Sequence, residues 1–199
     1  MGLAILVVGL AVFLGVHSLV PQRPARAAAI ARLGEWPYKA LFSLLSLAGL
    51  VLIGVGFARY RASGLIELWS PPTWTRHIAV ALMWPAFICI TAAYVPGNLR
   101  SALRHPMLVG VKLWALAHLI ANGDLGSIVL FGAMLAWAVY DRVSLKYRSD
   151  AGAPPIPAGG RRNDIIAIVV GTILYLAFGL VFHPLWIGVA VFGTPAFGT

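Results

Sequence analysis

The sequence predicts an all-α protein: a polytopic transmembrane helical bundle of about six spans, forming a single integral-membrane domain over residues 1–199. Three observations carry this expectation. Hydrophobic residues make up 60% of the chain and charged residues only 11%, against roughly a quarter charged in a soluble domain. The apolar runs reach the ~17–25 residues a helix needs to cross a hydrocarbon core. They are also continuous rather than alternating, and a lipid-exposed backbone satisfies its polar groups only within helices or closed barrels.

The spans are expected at residues 2–20, 38–57, 77–95, 106–121, 125–143 and 165–182. The first has no positive segment before it, which argues against a cleaved signal peptide, and it stops at Pro21. The second follows Pro37 and carries Gly49, Gly54 and Gly56, small residues that let helices approach closely in lipid. The third contains Pro85, which predicts a kink, and ends at Pro96-Gly97. The fourth opens on Pro106, suited to a first helical position whose missing donor would be unpaired anyway, and exits through Asn122-Gly123-Asp124. The fifth follows directly. Residues 149–160, rich in Ala, Gly and Pro, read as an irregular loop before the sixth span. The tail beyond His183-Pro184 is too short to cross and is expected to lie in the interface or pack back on the bundle.

A net charge of +9 could indicate nucleic acid, but the basic residues sit in short loops between apolar runs, where they act as topology signals and headgroup contacts. No nucleic-acid partner is expected; the lipid bilayer is. Arg23, Arg26, Arg32, Lys39, Arg100, Arg104, Arg142, Lys146, Arg148, Arg161 and Arg162 fall on one side of the membrane, and only Arg59, Arg61 and Arg76 on the other. The positive-inside rule then puts the loops after the first, third and fifth spans in the cytoplasm and both termini outside it. Trp36, Trp69, Trp74, Tyr94 and Trp186 near the span ends read as an aromatic belt. Lys112 is the exception, expected within the fourth span. The single cysteine, Cys89, excludes an internal disulfide and any cysteine-rich metal site.

Ionisable groups inside lipid are costly and are rarely kept without a role, so the five histidines are where chemistry is sought. His77 and His183 lie at span ends, where headgroups solvate an imidazole. His105 reads equally as a cap before Pro106. His17 and His118 sit a turn inside their runs, where a metal or haem iron would serve as partner. Trp114, His118 and Asn122 recur every four residues and share one helix face, so Asn122 is a candidate to orient the imidazole. His105 and His118 stand ~20 Å apart along one helix and cannot bind one metal together. Asp124 and Asp141 read as solvated. No P-loop, Gly-rich dinucleotide turn, H-E-x-x-H motif or inward carboxylate pair is present.

Phe13-Leu14-Gly15-Val16-His17-Ser18-Leu19, Arg32-Leu33-Gly34-Glu35, Tyr38-Lys39, Trp74 to His77, and Arg104 to Asp124 resemble the NnrU family of bacterial membrane proteins over essentially the whole chain. That resemblance implies a multi-pass protein of the bacterial inner membrane, associated with denitrification and nitric oxide metabolism and acting beside its membrane-protein partners. His17-Ser18 and Arg104-His105-Pro106 through His118 are also similar to the plant zeta-carotene cis-isomerases, which are thought to bind haem b through two histidines. Carried across, the iron ligands are His17 and His118, and an isomerase acting on an apolar isoprenoid, or a protein receiving a small gaseous ligand, is implied. The isomerases have a cysteine three residues before the second histidine; this chain has Ala115. A depth count along straight spans would instead pair His17 with His105 and His77 with His118. If haem is bound, Arg100 and Arg104 are candidate propionate or headgroup partners. The R-H-P-x-x-x-G helix start also occurs in membrane methyltransferases, but residues 141–148 are basic and lack the acidic pair those enzymes use. The reading from another class is a non-enzymatic assembly or transport factor for nitrogen-oxide reduction.

Overall fold

The computed structural model describes residues 1–95, 97–147 and 159–193, and among these the regular secondary structure is helical apart from one isolated bridge. The helices are α1 (Gly2–His17), α2 (Arg23–Leu33), α3 (Glu35–Ala62), α4 (Trp74–Tyr94), α5 (Asn98–Leu103), α6 (Pro106–Ala121), α7 (Leu125–Tyr147) and α8 (Arg161–Ala177), the last continued by a π-helical segment, Phe178–Ile187. Four of them are long and apolar enough to cross a membrane: α3, α4, α7, and α8 with its continuation. The chain is a multi-pass membrane protein. α1 and α6 are apolar but 16 residues each, about 24 Å at 1.5 Å per residue, short of a ~30 Å core. Length and composition therefore support four spans where about six were expected.

The helices form two compact units, Met1–Pro71 with Asn122–Ala151 and Pro72–Ala121 with Gly152–Thr199. The first holds α1, α2, α3 and α7. Its centre is an antiparallel seam between α1 and α3 made possible by glycines on both helices. A Cβ on Gly9 would fall 2.6 Å from the Ile53 nitrogen, and one on Gly49 would fall 2.8 Å from the Phe13 nitrogen. Gly2 meets Tyr60 and Gly56 meets Leu6 just as closely. Gly49 and Gly56 thus do what the sequence predicts of them, whereas Gly54 faces open space.

The Asn122-Gly123-Asp124 exit is a clamp at one end of this unit. The Gly123 carbonyl accepts from the Leu68 and Trp69 amides at 2.9 and 3.2 Å, and Leu125 N–H donates to the Ile66 carbonyl at 2.9 Å. Any side chain at 123 would collide with the Trp69 carbonyl. Asp124 caps α7: one carboxylate oxygen accepts from the Ser127 amide at 2.9 Å and the other from the Ser127 hydroxyl at 2.6 Å. Asp124 and Asp141 are both buried, which corrects their reading as solvated groups. A carboxylate that satisfies the orphan donors of a helix start has no need of water.

The second unit holds α4, α5, α6 and α8. α4 and α6, with α5 between them in the chain, pack along one another, and Gly110 fits against Ala86 and Ile90. α8 also lies along α4: Gly171 packs on Ile88, Trp84 donates to Thr172 at 2.9 Å, and the Tyr175 hydroxyl donates to the Val80 carbonyl at 3.2 Å. At the other end Asp164 accepts from the Leu99 amide at 2.8 Å, tying α8 to α5.

Two elements differ from the expectation. Residues 23–33, read as a basic loop, form α2, because the run is rich in alanine and Pro24 stands in its first turn, where proline is tolerated. The last helix does not stop at residue 182 but passes His183-Pro184 to Ile187. A π turn leaves room for a proline ring that would press on a carbonyl in a regular helix. Beyond it Phe192 folds back onto Tyr175, with ring centroids 5.5 Å apart, and onto Gly179. The expected loop at 149–160 and Arg148 lie largely outside the described residues.

Candidate functional site

In the first unit the candidate site is built around His17, in the last turn of α1. Nδ1 of His17 is 2.7 Å from the Phe13 carbonyl, one turn back. A carbonyl only accepts, so Nδ1 carries the proton and Nε2 keeps its lone pair. The ring is walled by aromatics: Phe13 stacks at 4.2 Å, Phe42 of α3 lies at 5.1 Å, and Trp137 of α7 stands edge-on at 5.7 Å. An imidazole fixed in rotation, with its tautomer set by a backbone acceptor, is in the condition of a metal ligand before the metal binds.

Tyr38 Oη, Ser46 Oγ and Trp137 Nε1, all in this unit, are buried with no hydrogen-bond partner among the described residues, and of the three Trp137 touches the His17 ring. Tyr38, Phe42 and Ser46 recur every four residues and so share one stripe of α3. Sequence reasoning missed all three. The signal was present in that spacing on a span whose other polar residues are few, but nothing in the sequence links it to His17 before α1 and α3 are seen to pair.

His118 repeats the arrangement in the second unit. Its Nδ1 lies 2.8 Å from the Trp114 carbonyl, again one turn back, and the Trp114 ring is 5.4 Å away. The Trp114 carbonyl thus fixes one nitrogen of the imidazole. Ala115, where the isomerases have cysteine, is fully buried. His183 of the π-helical segment is held likewise, its Nδ1 2.8 Å from the Val189 carbonyl. The antiparallel packing of α6 and α8 on α4 brings His77, His118 and His183 to one end of this unit and leaves His105 and Arg104 at the other. His77 is exposed in the first turn of α4.

Arg104 and His105 are shaped by backbone geometry. Arg104 has φ 59° and ψ −46°, and is the one non-glycine residue among those described with positive φ. His105 N–H donates to the Leu103 carbonyl at 2.6 Å across it, which makes 103–105 a γ-turn of the strained, positive-φ kind. The His105 carbonyl then accepts from Val109 at 3.2 Å, so His105 occupies the cap position of α6 that the sequence allows it. Arg100 lies in the preceding short helix α5.

Among the described residues no group of three or more His, Cys, Asp or Glu is arranged to hold a metal ion. A haem iron asks less of the protein, at most two axial side chains. A family model described as NnrU protein matches residues 5–191 of the chain. No curated protein and no solved structure matches it.

Proposed function

The chain belongs to the NnrU family, and from that premise we propose that it is a six-span inner-membrane protein that binds haem b and acts in nitrogen-oxide metabolism. The observation that carries the haem reading is the identical backbone lock on the two histidines that the resemblance nominates. Each donates Nδ1–H to the carbonyl four residues earlier, and each leans on the aromatic ring at that position. They lie in different units, and each is proposed as an iron ligand on its own geometry. Bound haem would supply a redox-active iron and a binding position for a diatomic gas. The chain's own part is to fix the two imidazoles in one tautomer and surround them with apolar, lipid-facing helices.

The six-span count is supported by how the short helices are partnered. α1 runs along α3 from Gly2 at Tyr60 to Phe13 at Gly49, and α6 runs back along α4. Both short helices are thus carried along helices long enough to cross. With the basic residues inside, both termini fall on the periplasmic side.

The test is the visible spectrum of the protein purified from haem-replete cells. A Soret band that follows protein yield, and that is lost or shifted in His17→Ala and in His118→Ala, is the expected result. Alanine suits an apolar helix, so both variants should insert. A colourless wild-type preparation would overturn the haem reading and favour a non-enzymatic assembly factor.

A further inference from the structure

The connection that follows α3 runs against the usual chemistry of loops. Loops lie on the surface and are ordinarily polar. This one reads Leu65-Ile66-Glu67-Leu68-Trp69, and every residue of it is exposed. Leu65, Ile66, Leu68 and Trp69 are 51, 50, 57 and 44% accessible. Yet the segment is not slack. Ile66 N–H donates to the Tyr60 hydroxyl at 3.0 Å, the Ile66 carbonyl accepts from the Leu125 amide at 2.9 Å, and the Leu68 and Trp69 amides both donate to the Gly123 carbonyl. Tyr60 is itself buried, and its ring lies so close to Gly126 that a side chain there would strike it. The backbone is therefore tied to the end of α3 and the start of α7, while its apolar side chains are left uncovered.

We propose that residues 65–69 are a membrane-inserted loop, a preformed apolar wedge that enters the boundary between headgroups and acyl chains at this end of the unit. Depth is the first ground for a lipid surface rather than a protein partner. α3 and α7 are both long and apolar enough to cross, and Ile66 is bonded to Leu125, the first residue of α7. The loop thus stands level with the end of a span. The second ground is its backbone. Non-helical chain is tolerated near hydrocarbon only where its polar groups are satisfied. Here the Ile66, Leu68 and Trp69 amides are bonded within the unit, which leaves none of them to a strand-pairing partner. Continuity is the third. Leu44, Leu47, Val51 and Val55 are exposed along α3 on the way to the loop, so the apolar surface of a span runs on into it. Trp69 pairs an apolar body with one N–H, as interfacial residues do. Arg59 and Arg61, exposed in the last turn of α3, are placed to reach lipid phosphates. Glu67, the one acid of the loop, accepts from the Ser70 hydroxyl. Neither haem nor the crossing of α1 and α6 enters into this.

The experiment assembles the full-length protein into lipid nanodiscs, whose two faces both meet solvent, with one nitrobenzoxadiazole label at Leu65→Cys or at Leu68→Cys. Both side chains are exposed, so neither substitution opens a cavity. Cys89 is buried, and unsubstituted protein taken through the same labelling is the blank. Emission is titrated with iodide, which stays in water, and with a phospholipid carrying a nitroxide at a shallow position of its acyl chain. A label held ~5–10 Å into the boundary should be quenched by the nitroxide, and should be quenched by iodide about fivefold less than the free cysteine conjugate of the dye. That pattern at both positions is the expected result. Iodide quenching equal to that of the free conjugate at either position would overturn the proposal, because the loop would then stand in water. Quenching by neither agent would overturn it as well, since protein, from this chain or a second copy, would then cover the patch. The dye is itself apolar, so the titration is repeated in Gly123→Ala, whose side chain would strike the Trp69 carbonyl. Breaking the clamp frees amides that lipid cannot satisfy, and iodide quenching should return. A label that stays in lipid without the clamp would be inserting by its own affinity, and the preformed wedge would be refuted.

Discussion

Arg104 carries the most unusual backbone in the described chain, and it stands next to the histidine that starts α6. A non-glycine residue at φ 59° in a γ-turn stores strain of roughly 1–3 kcal/mol. The strain places His105 before Pro106, whose ring restrains the residue preceding it to extended conformations. Comparing Arg104→Gly with Arg104→Ala separates conformation from charge, since both remove the guanidinium. At most positions alanine is the more stable of the two by roughly 0.5–1 kcal/mol, because glycine loses more freedom on folding. Here the order should reverse, with Arg104→Gly more resistant to thermal unfolding in detergent by about 1 kcal/mol. Alanine in its usual lead would mean that the γ-turn does not exist in solution. Residue-scale chemistry of this kind was only partly legible in the sequence. His17 and His118 could be singled out because imidazoles are rare inside apolar runs. The carbonyls that lock them could not, although Phe13 and Trp114 stand at the required spacing, because the same spacing serves ordinary packing far more often. Trp137 comes to His17 only when α1 and α7 meet.

At the scale of elements, the α1–α3 seam depends on glycines that differ sharply in what surrounds them, and this yields a paired prediction. Gly56 packs against the Leu6 backbone, which cannot yield, while Gly54, two residues earlier, faces nothing within 4 Å. Gly56→Ala should force the two helices apart and cost roughly 1–3 kcal/mol. Gly54→Ala should be neutral or stabilising by up to roughly 1 kcal/mol, through helix propensity alone. Matching effects at the two positions, measured by unfolding in mixed micelles, would contradict the packing of this seam. The position of each apolar helix was readable from the sequence because hydrophobic length and proline placement are local properties. The helix at Arg23–Leu33 was not: its alanines are strong helix formers, but three arginines made it resemble a loop under a rule that counts charge and ignores propensity. The continuation through Pro184 was missed for the complementary reason, since proline was taken to end a helix that the π turn carries onward.

At the scale of the whole molecule the open question is how many helices cross, and helix length alone gives four. The two short helices are each about 24 Å long, which leaves ~6 Å of a 30 Å core to be covered by flanking residues or by local thinning of the bilayer, a mismatch that costs only fractions of a kcal/mol per Å. That cost is small beside leaving the apolar surface of a whole helix in water. If α1 crosses, its start and the basic helix α2 that follows it lie on opposite sides of the membrane. A reporter placed before Met1 should then read periplasmic, and one inserted between Leu33 and Glu35 should read cytoplasmic. The same pair of outcomes is expected across α6, with a reporter at Arg100 inside and one at Asn122 outside. Reporters at either end of α1 reading the same side would remove the first span, and the same result across α6 would remove the fourth. If both helices cross, His17, which closes α1, lies towards the cytoplasmic face and His118, in the last turn of α6, towards the periplasmic one. A single chain therefore tests both claims: the reporter pattern decides whether the helices that carry the locked imidazoles lie across the membrane, where an unligated imidazole is expensive, or along its surface, where water would solvate it and no iron would be needed to explain it.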